Sequence, residues 1–167
     1  PDCAQYWESY DKFGLWKDHT IMAHCVHSDA RERSAIRQAG VVVAHCPDSN
    51  INLCSGIAPV RQMLNEGLWV TLGSDIAAGS SISGSQMVTM SIRASKIRRF
   101  TDPEKPAFLT VPEAYYLGTT SGHRYFGAET ASPQATDCTP LQSTTAILRK
   151  RRGRSACPSA SSARCTR

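Results

Sequence analysis

The chain reads as an α/β domain built on a parallel sheet covered by helices. Three observations carry that reading. Runs at 20–23, 41–44 and 68–72 are continuously apolar, as strands buried on both faces are. Helical segments separate them, with crossovers short enough for strand–helix–strand units. Each run leads into a polar or ionisable residue: His24, His45 and Asp75.

The elements follow in order. Residues 3–14 predict a short amphipathic helix, with Tyr6, Tyr10 and Phe13 on one face and Gly14 as its stop. Thr20-Ile21-Met22-Ala23 predicts a buried strand ending at His24. Residues 29–39 predict a charged helix closed by Gly40, and Val41-Val42-Val43-Ala44 a second buried strand ending at His45. Pro47 to Asn52 reads as loop. Residues 57–66 predict a helix stopped by Gly67, and 68–72 a third strand leading to Gly73-Ser74-Asp75. Residues 76–85, rich in Gly, Ser and Ala, read as loop. A long helix is expected at about 86–99, with Met87, Met90 and Ile97 on its apolar side. A helix at about 111–118 starts with Pro112 in its first turn, and a short one lies at 122–127.

The 167 residues, 41% hydrophobic and 20% charged, suit one ordinary domain with a real core. No apolar run reaches the roughly 18 residues of a membrane span. No basic start followed by an apolar stretch marks a leader, and Pro1-Asp2-Cys3 reads as the middle of something longer. A cytoplasmic location is expected. The net charge of +5 is unevenly spread: residues 132–167 carry +6 and residues 1–131 carry −1. The first 131 residues therefore make no case for nucleic acid or acidic membranes. Seven Cys, an odd count without a Cys-x-x-Cys, give no support to a zinc finger or a thioredoxin-like motif. Cys25 and Cys46 read as buried free thiols.

His24, His45 and Asp75 at neighbouring strand ends could ligate a divalent metal, or hold a water and a substrate beside one. A catalytic zinc takes about three protein ligands and an open position. The structural reading stands beside it: a strand-end His is often simply hydrogen-bonded, and an Asp after Gly-Ser often caps a turn.

The motifs themselves carry a resemblance. Met22-Ala23-His24-Cys25, His45-Cys46-Pro47-Asp48-Ser49-Asn50 and Gly73-Ser74-Asp75-Ile76-Ala77-Ala78-Gly79 occur in order. Together they resemble the last three barrel strands of the amidohydrolase superfamily, and within it those of the guanine deaminases. Tyr10-Asp11-Lys12-Phe13-Gly14-Leu15 resembles the segment before the sixth strand. The likeness covers about residues 1–129. It implies a partial (β/α)8 barrel, the last three strands and their helices. A closed barrel needs eight strands and about 250 residues.

On that resemblance Asp75 is the candidate zinc ligand and proton carrier, and His24 lies over the substrate and the attacking water. These two are the implied catalytic and substrate-binding residues, and Asp75 the implied metal ligand. His45 matches a histidine that is not a ligand. Ser49 and Asn50 are expected to tie their own loop by local hydrogen bonds. Ser80, Ser81 and Ser83 could approach a purine or simply be solvated. The implied cofactor is Zn2+, the implied substrate guanine, the implied reaction its hydrolysis to xanthine and ammonia in guanine catabolism. A homodimer is possible for a complete enzyme.

The family's His-x-His and His-x-x-Glu patterns do not occur in the chain. The chain is therefore expected to be a C-terminal portion, 1–131, inactive alone. Residues 132–167 depart abruptly from the family's pattern and are expected to be a disordered or non-native tail. Its cluster Arg149 to Arg154 could touch phosphates, though nucleic acid is not the expected partner. Two other readings remain: a different aminohydrolase or chlorohydrolase of the same superfamily, and a non-enzymatic chain that binds partners through open sheet edges or its basic tail.

Overall fold

A computed structural model describes residues 3–127. The expected tail at 132–167 lies outside the described residues.

The apolar runs do form strands, in one three-stranded parallel sheet of order β1-β2-β3. They are β1 (Ile21–Ala23), β2 (Val42–His45) and β3 (Val70–Leu72). Met22 pairs with Val43, and Val43 with Val70, so one row of side chains runs across all three strands. That row packs on helices. Ile36 of α2 (Ala30–Ala39) and Val60 and Met63 of α4 (Val60–Asn65) join Val41, Val43, Leu68 and Val70 in one core. Each is at most 5% exposed, and burying such a side chain stabilises by roughly 1.5–3 kcal/mol. Cys25 and Cys46 are buried free thiols.

The local chemistry explains the helix ends. Asp29 accepts the Glu32 N–H at 2.8 Å and starts α2. Gly40 ends it at φ +70°, a left-handed stop that needs no Cβ. The longest helix, α5 (Gly84–Thr101), and α6 (Val111–Gly118) pack together after β3, and α7 (Thr120–Tyr125) closes the described chain. None of the helices among the described residues is long and apolar enough to cross a membrane.

Four expectations need correction. Pro47–Asn52 is not loop but a six-residue helix, α3; Pro47 fits its first turn, where no N–H is needed. β1 is not a buried strand. It lies at the sheet edge, where Ile21 is 48% exposed and Ala23 also faces out. α1 (Tyr6–Lys12) does not bury the Tyr6, Tyr10, Phe13 face: Tyr6 and Phe13 are exposed, and Trp7 with Tyr10 packs against the core. Trp7 sits 5.8 Å from the Trp16 ring, which fixes the helix by a rotated face. In α5 the buried line is Met87, Ser91 and Ala94, and Ile97 is exposed; small residues there allow close helix approach.

Candidate active site

All three parallel strands end on the same side, so the residues that follow them gather there. His24 comes directly after β1, and its N–H still bonds Ala44 O at 2.9 Å. Asp75 stands three residues past β3. Both take left-handed backbone, His24 at φ +67° and Asp75 at φ +47°. Such conformations cost free energy in residues with a Cβ, and they concentrate where side chains are aimed for function. Here they turn both side chains into one cavity of about 590 Å³, within the range of small-molecule sites. His24 Nε2 lies 3.8 Å from Asp75 Oδ2, each side chain about two-fifths exposed.

The turn that presents Asp75 is closed by Gly79, whose N–H bonds Asp75 O at 2.8 Å. A Cβ on Gly79 would fall 2.0 Å from Ser74 O, so only glycine fits.

Helix α3 holds both candidate residues. Asn50 Oδ1 lies 2.8 Å from His24 Nδ1, and Ser49 Oγ donates to Asp75 Oδ2 at 2.5 Å. The two bonds span the same separation in sequence, 26 residues each. Asp48 and Asn52 reach the same loop further on. Asp48 Oδ2 accepts from the Ser80 N–H and hydroxyl at 2.7 and 2.6 Å, and Asn52 Nδ2 donates to Ala78 O at 2.9 Å. The Ser80 hydroxyl bond, with the Ser80 N–H, holds the Asp48 carboxyl below its ordinary range.

Ser49 and Asn50 thus do not tie their own loop. They bridge to the neighbouring strand ends, because the segment is helical and projects them sideways. Sequence reasoning missed that role; the signal available was Pro47 followed by Asp48, a helix start. Ser80 turns to Asp48, and neither Ser81 nor Ser83 lines the cavity.

His45 is 1% exposed and is not among the cavity residues. Burial, aided by the nearby His24, pushes its pKa down to about 4, so the imidazole is neutral. Its Nδ1 is buried without a partner among the described residues. Cys46, behind the site, is pushed up to about 11 by burial, then by Asp75.

The donor set bears on a metal. One carboxylate oxygen and one imidazole nitrogen meet at the cavity, and no group of three or more His, Cys, Asp and Glu suited to a metal ion occurs among the described residues. That falls short of the three or so ligands of a catalytic zinc. These residues by themselves do not make up a zinc site. They can accept protons from, and orient, a polar group placed between them.

Comparison with known proteins adds to this geometry. The model of the amidohydrolase family matches residues 2–131. A guanine deaminase of Dictyostelium discoideum is 37% identical over 124 residues, covering 74% of this chain and 27% of that protein. The crystal structure of a guanine deaminase from C. acetobutylicum with bound guanine in the active site superposes with a TM-score of 0.72 and 44% identity. It covers 75% of this chain and 30% of that one. A mutant atrazine chlorohydrolase from Arthrobacter aurescens TC1, complexed with zinc and atraton, matches at TM-score 0.60 and 26% identity over 72% and 26% of the two chains. The chain spans little more than a quarter of the length of the relatives it matches.

Proposed function

The chain belongs to the amidohydrolase family, and from that premise we propose that it supplies the His24–Asp75 end of a site that hydrolyses guanine to xanthine and ammonia. The observation that carries the reading is the 3.8 Å approach of His24 Nε2 to Asp75 Oδ2 at one strand-end cavity. The likeness to guanine deaminases, one of them holding guanine, supports the substrate.

The reading takes the fold as the last three strands of a (β/α)8 barrel, whose active face is the C-terminal end of the strands. Zinc in such a site would be held through Asp75, with its other ligands outside the described residues. Bound there, it would supply Lewis acidity. This chain's own groups do the rest. Asp75 and His24 flank the attacking water; the carboxylate accepts one of its protons, His24 orients it, and the water's second hydrogen stays with the purine. The water oxygen bonds to the purine carbon that bears the amino group. That carbon–nitrogen bond breaks, and the proton leaves with ammonia through the carboxylate. Ser49 and Asn50 hold the two groups at the distance this transfer needs.

With only these ligands among the described residues, the 167-residue chain alone is expected to be inactive. The test is a chimera in which residues 3–127 replace the matching segment of the Dictyostelium guanine deaminase. Guanine turnover, followed by absorbance, supports the reading when it is abolished by Asp75→Ala. A folded chimera that ignores guanine and hydrolyses a triazine or an adenosine derivative instead contradicts it.

A further inference from the structure

We propose that Asn50 sets the tautomer of His24, keeping the ring proton on Nδ1 and leaving the Nε2 lone pair facing Asp75. The inference rests on the reading above for the role of His24, but the tautomer itself rests on geometry alone.

Asn50 Oδ1 lies 2.8 Å from His24 Nδ1, a hydrogen-bond distance. With the Asn50 amide so turned, its Nδ2 buried without a partner among the described residues, the oxygen facing the ring has no hydrogen to give, so the imidazole donates. A neutral ring carries one proton, and Nε2 is then bare. Its surroundings agree. Nε2 stands 3.8 Å from Asp75 Oδ2, too far for a donated N–H···O bond. The Asp75 oxygen meanwhile receives its hydrogen from Ser49 Oγ.

The holding is rigid. Asn50 is 2% exposed. Its own backbone is tied at both ends, N–H to Cys46 O at 3.1 Å and C=O from the Ser55 N–H at 2.9 Å. His24 is fixed by the N–H bond to Ala44 O and by its left-handed backbone. The choice of tautomer decides the chemistry: a bare Nε2 takes a proton, whereas an Nε2–H gives a hydrogen bond. Asn50 is therefore a positioning residue that leaves His24 Nε2 as a hydrogen-bond acceptor toward the attacking water.

The test is a long-range proton–nitrogen correlation spectrum of the full 167-residue chain, labelled at histidine and held at pH 9, above the ordinary imidazole range. The His24 signals are assigned by their loss in His24→Gln. In the unaltered chain the His24 Nδ1 resonance lies in the protonated, pyrrole-like range and Nε2 in the pyridine-like range. Asn50→Leu removes the acceptor and shifts the pattern toward Nε2–H. Asn50→Asp restores the acceptor and the original pattern. The other four histidines serve as fold controls, and where Asn50→Leu does not fold, the unaltered and Asp spectra decide. An Nε2–H pattern in the unaltered chain, or an unchanged pattern in folded Asn50→Leu, overturns the proposal. No guanine is present, so a chimera silent on guanine would sink the proposed function and leave this result standing.

Discussion

His24 and Asp75 face each other across 3.8 Å, and each is held by one of two adjacent residues of a single six-residue helix, Asn50 and Ser49. The pair comes from two strands that do not touch. β1 and β3 flank β2, and the helix that follows β2 reaches both ways. A central strand is the one place from which a single short element can touch both neighbours.

Ser49→Ala tests that arrangement. The Asp75 carboxylate loses a charge-assisted hydrogen bond, worth about 1.5–3 kcal/mol. Much of that loss falls on placement rather than folding, since Asp75 is only partly buried. In the chimera the kcat for guanine is expected to fall about tenfold, which corresponds to about 1.4 kcal/mol of barrier. Ser49→Thr, which keeps the hydroxyl, should recover most of it. The stopped rates are read by absorbance, alongside thermal unfolding to show that the fold survives.

Gly79→Ala should be harsher. The added Cβ meets Ser74 O at 2.0 Å, and backbone cannot yield there without moving the turn that bonds Asp75 O. Guanine turnover by the chimera is expected to drop at least a hundredfold. The atoms nearest the added Cβ are Ser74 and Asp75 backbone, not the core residues Met63 and Val43, so the circular dichroism spectrum should keep its helical signal.

His45 predicts a pH effect with a definite sign. Burial, then His24, lowers its folded pKa to about 4, whereas an unfolded histidine titrates near 6.5. Between those values the unfolded chain binds the extra proton. Stability is fully present above about pH 6.5 and falls as pH drops toward 4, by on the order of 3 kcal/mol. Urea unfolding from pH 7 to pH 4 measures it, and His45→Asn should flatten the slope. Carboxylates held low, such as Asp48 and Glu66, begin to lose their contributions only as pH nears the ordinary carboxylate range of about 4 to 4.5, at the bottom of this window.

What the sequence made legible, and what it hid, follows from the lengths of the pieces. Val41-Val42-Val43-Ala44 reads as a buried strand, and from Val42 on it is one, with Val41, Val42 and Val43 each at most 1% exposed. With it came the parallel sheet and the strand-end positions of His24, His45 and Asp75. α3 was hidden because Pro, Asp, Ser and Asn are also the residues of turns, and six residues are too few to show a helical period. Losing that helix meant losing the partners of both candidate residues. β1 read as buried because Ile21, Met22 and Ala23 are apolar. Nothing in three residues tells an edge strand from a central one, and Ile21 lies exposed at the edge. The tyrosine face of α1 failed for a different reason: two tryptophans, Trp7 and Trp16, outcompete it for the core by sheer area.

The measurement that tests the central claim most directly is the zinc content of three purified proteins: the 167-residue chain, the chimera, and the chimera carrying Asp75→Ala. Elemental analysis and guanine turnover are read on the same samples. The account predicts no stoichiometric zinc and no turnover in the chain alone, because one carboxylate and one imidazole do not hold the metal against water. It predicts about one zinc per molecule in the active chimera, and loss of both metal and turnover on Asp75→Ala. Stoichiometric zinc with steady guanine turnover in the 167-residue chain itself would contradict it, as would full zinc and activity in the Asp75→Ala chimera.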